Sequence, residues 1–393
     1  MSVQAHGILL EDAANMLGMG AEPDWAKVVT AAAHDARFLF RTLLLGPRLY
    51  ECVTGIVLGP QGGRPIRLAA LGPCDRSTSM ERGAILRWRS VPVDAGGYVC
   101  PAIRVGAPGT ELMGIKIVGP GRARIKDALG KLPEAPSVSS ALHARARVVL
   151  EDCCFQNWRV SDAVIHLYGN GAVGSDVSGS TISRVRVDQV FGPGAGIKVQ
   201  GADANVITVT QASVTNTHEG SAIVDQSFLG CTWIGCHVHP SERSEVTGGV
   251  NRAPPYRAEG RSSRATFVGC YAESGTEPSV VVPPNAWLGG IGGVQGGGFI
   301  LSNGEVRGAR LRAPVIVSEK WDRSRFLRVL RLEVETGLDA GGRPVIDFLE
   351  ALYDGRESDA GAPLDKRFYG TVRWLWKNVR ETGSRLIMGK YVG

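Results

Sequence analysis

The sequence predicts an all-β fold, a right-handed parallel β-helix, because two strand patterns recur along the chain in step. The first is a set of short segments that alternate inward-type and outward-type side chains, as half-buried strands do. Their central residues, at intervals of 32, 27, 24 and 34, are Phe155, Val187, Val214, Val238 and Ala272. The second pattern has Ile165, Ile197 and Ile223 at intervals of 32 and 26. Two strand series that share one drifting period of about 20–50 residues indicate stacked coils, in which each strand pairs with its equivalent in the next coil.

The amino-acid composition agrees with this fold and indicates which classes of binding partner to expect. Of the 393 residues 52 are glycine, which suits a fold with a tight turn in every coil. The net charge of +6 arises without a long basic run, so no nucleic-acid partner is expected, although a mildly basic surface suits an acidic polysaccharide. No apolar run reaches the length of about 18 residues that a membrane span needs, so none is expected.

The eight cysteines show no spacing typical of a metal site or a redox motif. Cys154, Cys236 and Cys270 fall at matching or near-matching points of the coil. Because free cysteine behaves as a small hydrophobic residue, this predicts a ladder of buried thiols in the interior. A disulfide framework is the alternative.

The N-terminal segment, residues 1–36, is predicted to be helical and to cap the solenoid. A short helix is expected from Glu11 to Leu17, and a second from Trp25 to about Ala36 with Asp24 as its N-cap. A solenoid needs its first coil covered, and an amphipathic helix can cover it.

The parallel β-helix is placed at residues 37–318. Within it, residues 74–100 are expected to form a long turn. Residues 120–142 and about 240–263 are expected to be insertion loops, because proline, serine and arginine cluster there. Long loops on a compact scaffold are either functional or disordered, and both alternatives stay open for these two.

Residues 319–393 are predicted to form a separate β-rich domain, with antiparallel pairing more favoured than parallel. This domain is expected to cap the solenoid, form a trimer interface or bind sugar through Trp374 and Trp376. Alternating aromatic residues mark a packed face more often than a sugar site.

Three strings in the sequence resemble a known group of proteins. They are GIVLGPQGGRPIRLAALG at 55–72, SFLGCTWIGCH at 227–237 and TFVGCYAESG at 266–275. Across roughly residues 25–300 the chain is similar to the pectate-lyase-like superfamily, which includes polysaccharide lyases, family-28 glycosidases and phage tailspikes. The resemblance implies a parallel β-helix that acts on polysaccharide. The Asn-Thr-Asp, Asp-Asp and Gly-His-Gly motifs of the family-28 glycosidases are missing, so it does not assign an activity.

Paired carboxylates are the first candidate chemistry. Equivalent points of adjacent coils lie about 4.8 Å apart, close to the about 5–5.5 Å that a retaining glycosidase needs between its two acids. The candidate catalytic residues are Asp162, Asp188, Asp225 and Glu273, which with Asp152 are expected to project outward. Asp188 and Glu273 share a sheet three coils apart, and Asp162 and Asp225 are two coils apart. A solvated surface carboxylate is the alternative for each.

A second candidate is a column of basic side chains. His166 and Lys198 each follow an equivalent isoleucine, so they share a column on the outer face. Such a column suits the binding of an acidic sugar or the proton abstraction of a lyase, with a polar outer ladder as the alternative. His237 is a further candidate for substrate binding. With His239 and Glu273 it could also hold a metal, but the spacing is not specific, and no metal or cofactor is expected.

These observations favour a phage-like tailspike or tail-associated protein that binds a cell-surface polysaccharide and, in one version of the hypothesis, depolymerises it. We expect a homotrimer that contacts other particle or tail proteins. The start of the chain lacks a signal peptide, so the expected location is a virion or extracellular particle, after synthesis in the cytoplasm. The alternatives are a free polysaccharide lyase or glycoside hydrolase, and a non-enzymatic structural component of a larger assembly.

Overall fold

A computed structural model describes residues 7–20, 22–38, 41–59, 64–74, 83–121, 137–172, 174–228 and 230–241, and shorter segments between 253 and 392. The described residues form mainly strands, with two α-helices and one short 3₁₀ helix near the N-terminus. Neither α-helix has the length and apolar character needed to cross a membrane, as far as the described residues go.

The helices are α1 (Leu10–Met16) and α2 (Trp25–His34), followed by the 3₁₀ helix (Ala36–Phe38). The strands are β1 (Gly7–Leu9), β2 (Thr42–Leu45), β3 (Leu49–Thr54), β4 (Ile56–Leu58), β5 (Arg67–Ala70), β6 (Ile85–Val93), β7 (Ile103–Val105), β8 (Thr110–Met113), β9 (Lys116–Val118), β10 (Val138–Ala144), β11 (Val148–Glu151), β12 (Cys154–Tyr168), β13 (Thr181–Ser183), β14 (Arg186–Phe191), β15 (Ala195–Gly201), β16 (Thr208–Thr210), β17 (Ser213–Thr217), β18 (Ile223–Ser227), β19 (Thr232–Ile234), β20 (His237–His239), β21 (Tyr256–Ala258), β22 (Thr266–Val268), β23 (Tyr271–Glu273), β24 (Val280–Val282), β25 (Trp287–Gly289), β26 (Gly292–Gln295), β27 (Phe299–Leu301), β28 (Pro314–Ile316), β29 (Arg325–Leu338), β30 (Pro344–Arg356) and β31 (Arg385–Val392).

Consecutive strands enter three parallel ladders in rotation. Sheet 1 has the order β1-β2-β5-β8-β11-β13-β16-β19-β22-β25. In sheet 2, β3 pairs with β6, β6 with β9, β9 with β12 and β12 with β14, and the series continues through β17, β20 and β23. Sheet 3 joins β4, β7, β10, the second half of β12, β15, β18 and β21. We call three consecutive strands, one from each sheet, a coil. The predicted mostly-β architecture of many-stranded parallel sheets is confirmed.

Apolar side chains line the inner surface of each sheet at fixed register positions. In sheet 2 Phe155 pairs with Val187, and Val187 with Val214. In sheet 3 Ile165 pairs with Ile197. These side chains are fully buried and belong to one continuous core to which all three sheets contribute. The two strand series predicted from the sequence are therefore in the predicted register.

The chain turns from sheet 1 into sheet 2 through a single residue in the left-handed conformation. The five residues with this conformation at equivalent points of successive coils are Gly114, Asp152, Arg184, Gln211 and Gly235. The corner from sheet 2 into sheet 3 uses Asn157, Gln189 and Asn216 in the same way. Asparagine tolerates positive φ better than most residues, which helps to explain its use at two of these corners.

Helix α2 packs against the first strands of sheets 2 and 3. Its buried residues, including Val28 and Val29, join the same core. The Asp24 carboxylate caps the helix by accepting from the Ala26 amide at 3.2 Å. It also accepts from the Val53 amide at 2.9 Å, from the Thr54 amide at 3.1 Å and from the Thr54 hydroxyl at 2.7 Å. One side chain thus fixes both the start of the helix and its attachment to β3, and the predicted N-cap is confirmed.

Three sequence predictions about local structure were wrong. Residues 74–100 were expected to form a long turn, but they contain the nine-residue strand β6. Its charged residues Arg87 and Arg89 obscure the alternation, and both pair with Glu51 of the neighbouring strand. The end of the expected 120–142 loop is strand β10, and β21 lies inside the expected 240–263 insertion.

The predicted thiol ladder also needs one correction. Cys154 pairs with Arg186 on the outer surface of sheet 2, so its neighbour Cys153 is the equivalent of Cys236. Cys153, Cys236 and Cys270 are all buried. None of the eight cysteines forms a disulfide, so the structure favours the ladder over a disulfide framework.

The C-terminal strands pair mainly in antiparallel fashion, as predicted. Strand β29 pairs antiparallel with β30 and with β31, while β28 pairs parallel with β30. The expected boundary at 319 and the role of this region stay predictions.

Replacement of Asp24 by alanine should destabilise the protein, because four donors lose their acceptor at the junction of α2 and β3. We expect the free energy of unfolding to fall by about 2 kcal/mol. The matched control Glu22→Ala removes an exposed carboxylate two residues earlier and should change it by less than about 0.5 kcal/mol. Urea unfolding of both variants measures the difference, and equal effects would contradict the proposed role of Asp24.

Candidate functional site

The outer face of sheet 3 carries a column of basic side chains. Arg104 pairs with His143, His143 with His166, and His166 with Lys198. The column continues through Val224 to Arg257, which is exposed. The predicted pairing of His166 with Lys198 is therefore confirmed, and the column is longer than predicted.

A second outer column runs beside the first. Tyr168 pairs with Gln200, which pairs with Gln226. The amide of Arg145 donates to the carbonyl of Val105, which places Arg145 in the same row one coil earlier. We call the two columns together the sheet-3 face.

A small cleft of about 230 Å³ opens at one end of the sheet-3 face. It is lined by Val57, Gly59, Arg104, Val105, Gly106, His143 and Arg145. Gly59 and Gly106 have no side chains, so the polar lining of the cleft comes from Arg104, Arg145 and His143. Among the described residues, Nε of Arg104 and Nε2 of His143 are buried and have no hydrogen-bond partner. Buried polar groups are normally paired, so these two atoms indicate a place where a ligand completes the hydrogen bonding.

The two histidines stack and are held neutral. Their ring centroids lie 5.1 Å apart at an interplanar angle of 9°. Burial lowers the pKa of His166 to about 4, and electrostatic interactions with His143 and Lys198 disfavour a proton on its ring in the same direction. Burial also lowers the pKa of His143, with further lowering by Arg145 and Arg104 and an opposing effect of Asp162. Near neutral pH the positive charge of this face therefore resides on its arginines and its lysine.

Asp162 lies on the edge of the same face. Its carboxylate is 3.6 Å from Nζ of Lys198, and its side chain is 46% exposed. It is the one residue among the predicted catalytic acids that the structure places beside the basic column. His166 Nε2 contacts Oε1 of Gln200 at 3.1 Å, so this part of the face is a linked polar network.

Asp225 was predicted to project outward, and the structure shows that this is wrong. Its side chain occupies an inward position and is 0% exposed. It accepts hydrogen bonds from the Ser227 amide and hydroxyl, from the Cys231 amide at 3.1 Å and from Nε1 of Trp233 at 3.0 Å. The alternation itself gave the signal, because Asp225 lies two positions after the inward-facing Ile223.

Asp188 lies on the outer surface of sheet 2 but is not the solvated carboxylate that the sequence suggested. It is 3% exposed. It accepts from the Thr215 hydroxyl at 2.7 Å and from the Asn216 side-chain amide at 2.8 Å, and lies 3.6 Å from Arg186. Asp162 thus lies on the outer face of sheet 3, Asp188 lies on the outer face of sheet 2, and Asp225 lies in the core. These three residues do not form the two-carboxylate pair of a glycosidase.

The remaining candidates lie elsewhere. Glu273 ends β23 in sheet 2, three strands from Asp188 as predicted. His237 lies in β20 of sheet 2, away from the sheet-3 face. Trp374 and Trp376 lie outside the described residues. Asp152 sits at a corner, paired with Arg184 at 2.9 Å.

Sequence reasoning missed Arg104, His143, Arg145 and Tyr168. The long intervals that separate β7 from β10 and β10 from β12 hid their equivalence to His166 and Lys198. An isoleucine or leucine precedes Arg104 and His143, as an isoleucine precedes His166 and Lys198. This pattern was the signal that could have revealed the longer column. No group of three or more His, Cys, Asp or Glu side chains suited to a metal ion occurs in the described part of the chain.

No family model, curated protein or solved structure matches this chain. The resemblance to the pectate-lyase-like superfamily therefore stays a prediction, and the site is interpreted from its own geometry.

Replacement of Asp225 by alanine should reduce stability strongly, because it leaves buried donors of Cys231 and Trp233 without an acceptor. We expect a loss of about 3 kcal/mol or more in the free energy of unfolding. Asp162→Ala, which removes an exposed carboxylate, should cost less than about 0.5 kcal/mol. Denaturant unfolding compares the two, and a stable Asp225→Ala protein would contradict the structural role of Asp225.

The lowered pKa of His166 predicts a loss of stability in acid. Its folded-state pKa of about 4 lies below the ordinary value of 6.5, so its contribution is complete above about pH 6.5 and is lost as pH falls through about 4. The loss should be on the order of 3 kcal/mol or less.

The difference in unfolding free energy between about pH 7 and about pH 4.5 measures most of this loss. His166→Gln should show a smaller difference, although His143 will retain part of it. An unchanged difference in the variant would show that His166 does not cause the acid sensitivity.

Proposed function

We propose that this chain is a right-handed parallel β-helix protein of the tailspike kind that binds an acidic cell-surface polysaccharide along the sheet-3 face. The single observation that carries the proposal is the cleft in which buried, unpartnered nitrogens of Arg104 and His143 face the same space as Arg145. Guanidinium groups bind carboxylates and similar planar or charged oxygens through paired hydrogen bonds. A negatively charged sugar supplies acceptors for the arginine donors, and its hydroxyl groups can either donate to or accept from Nε2 of His143.

The rotation of strands through three parallel sheets supports the β-helix. Nearly all connections between parallel strands of one sheet are right-handed, about 98%, which supports the proposed hand. The resemblance to pectate-lyase-like proteins agrees with the β-helix and with its right hand.

The shape of the basic column suits a polymer better than a small anion. From Arg104 to Arg257 it crosses six strands, which corresponds to about 24 Å at about 4.8 Å per strand. Arginine stands near both ends and Lys198 between them, with Asp162 as the neighbouring acid. A chain that carries negative charge at intervals can contact several of these groups at once, and each contact adds to the affinity.

Cleavage by β-elimination is the second candidate function, and the neutral histidines favour it. An elimination needs a neutral base to remove the proton next to a carboxylate, and cations to stabilise the charge that develops. His143 is neutral near pH 7 because its pKa is lowered by burial, and it lies between Arg104 and Arg145 in the cleft. Hydrolysis is less favoured because Asp162, Asp188 and Asp225 do not face one another.

The proposal also includes the oligomeric state, the location and the protein partners. A tailspike would be a homotrimer on a virion or extracellular particle and would contact other tail proteins. A non-enzymatic structural component is the alternative, and it predicts that the sheet-3 face binds no sugar.

Calorimetric titration of the full chain with polygalacturonate, heparin and neutral dextran tests the proposal. We expect binding to at least one acidic polymer, weakening with salt, and none to dextran. Arg104→Ala and Arg145→Ala should each reduce the affinity about tenfold, equivalent to about 1.4 kcal/mol. The control Arg67→Ala removes a sheet-1 arginine that pairs with Glu111 and should have no effect.

The same samples separate binding from cleavage. Ultraviolet absorbance of an unsaturated product would reveal elimination, and His143→Ala should then lose turnover by a much larger factor than it loses affinity. Failure of every acidic polymer to bind would refute the proposed site and favour the structural alternative.

A further inference from the structure

The cations of the sheet-3 face recur on every second strand. Neighbouring strands of this sheet follow in the order β10, β12, β15, β18 and β21. Arg145 directly follows β10, Lys198 lies in β15 and Arg257 lies in β21. Two strand spacings therefore separate each cation from the next, which corresponds to about 10 Å at about 4.8 Å per strand. Arg104, on the strand before β10, lines the same cleft as Arg145, so the two arginines form one anion-binding position.

The two strands between these cations carry neutral side chains in the same two outer columns. In β12 these are His166 and Tyr168, and in β18 they are Val224 and Gln226. His166 is neutral near pH 7 because burial lowers its pKa to about 4. From β10 to β21 the sheet-3 face thus alternates between a strand with a cation and a strand without one.

Asp162 adds a negative charge beside a neutral strand. It lies in β12, and its side chain is 46% exposed. A carboxylate bound against β12 would meet the like charge of Asp162 and no cation on that strand, which costs affinity. Asp162 also lies 3.6 Å from Nζ of Lys198. An ammonium group has three donors, so this contact leaves Lys198 with donors for a ligand.

We infer that the acidic polysaccharide bound by the sheet-3 face carries its negative charge on every second sugar, with a neutral sugar in between. This inference rests on the proposed function of that face. An extended chain of pyranose sugars advances by about one strand spacing per sugar, so successive sugars meet successive strands. Carboxylates two sugars apart then reach Arg145, Lys198 and Arg257, while the sugars between them lie against β12 and β18.

The side chains of the neutral strands suit an uncharged sugar. The phenol of Tyr168 and the side-chain amide of Gln226 can donate to and accept from hydroxyl or acetamido groups. Val224 is apolar and 7% exposed, so it offers no partner to a carboxylate. A polymer with a carboxylate on every sugar would place charge against β12 and β18, where it would lose water without gaining a cation.

Calorimetric titration of the full chain with two oligosaccharides of equal length tests the inference. Both are long enough to extend from β10 to β21. One is a fragment of hyaluronan, which has a carboxylate on every second sugar, and the other is a fragment of polygalacturonate, which has one on every sugar. We expect the hyaluronan fragment to bind about tenfold more tightly, because its carboxylates meet only cationic strands. Attraction by total charge alone predicts the opposite order, because the galacturonate fragment has the higher charge.

A matched pair of variants locates the preference on the neutral strands. Gln226→Lys places a cation on β18, and it should reduce the preference for hyaluronan severalfold because a carboxylate there gains a partner. Gln200→Lys is the control, since it adds the same charge in the same column on β15, where Lys198 already lies. It should strengthen the binding of both fragments and leave their ratio unchanged. Both glutamines are partly exposed, so both variants should fold, and thermal unfolding checks this.

The outcomes separate this inference from the function on which it rests. Equal or tighter binding of the galacturonate fragment would overturn the inference and leave the proposed function standing. Binding of heparin without binding of hyaluronan would do the same. An equal change of preference in Gln226→Lys and Gln200→Lys would also overturn it, because the neutral strands would then play no part. Failure of every acidic polymer to bind would refute both the inference and the proposed function.

Discussion

In-register stacking of parallel strands is the constraint on which the rest of this structure depends. Each inward side chain lies against its equivalents in the coils before and after it, as Ile165, Ile197 and Ile223 do. A shift of one residue would move every apolar side chain of a strand to the outer surface, so burial fixes the register. The same register then fixes the outer columns, and the alignment of Arg104, His143, His166 and Lys198 follows from core packing.

The presence or absence of hydrogen-bond partners distinguishes the buried polar groups that serve the fold from those that are available to a ligand. Asp225 is buried in the core, and four donors satisfy it, so its position is explained by the fold alone. The unpartnered nitrogens of Arg104 and His143 are also buried, but they lie at an open cleft on the outer face. An unsatisfied buried polar group costs about 1–3 kcal/mol. A fold that tolerates two of them at one opening is better explained by a ligand than by stability.

The sequence predicted the parts of the fold in which alternation and interval agree. The ladder from Phe155 to Val238 and the pairing of His166 with Lys198 came from that agreement. The prediction failed where a polar side chain points inward, as with Asp225. It also failed where charged residues interrupt the apolar alternation of a strand, as in β6. Adjacent cysteines such as Cys153 and Cys154 cannot be assigned to a face by hydrophobicity alone. The cleft was not predictable, because long intervals separate the strands that bring Arg104, His143 and Arg145 together.

Solvent access decides what chemistry the same residue types perform on the two outer faces. Lys198 lies beside the exposed carboxylate of Asp162 and is itself 16% exposed, so part of its ammonium group can be reached by a bound anion. Lys116 has a comparable place in its own column, yet it is fully covered, and its charge acts on the neighbouring Cys154 instead. The three parallel sheets repeat one backbone arrangement from coil to coil, so differences of function between the faces do not come from the repeat itself. They come from what covers each face, which here leaves the cleft beside Arg104 and Arg145 open on sheet 3 and encloses Lys116 and Cys154 on sheet 2.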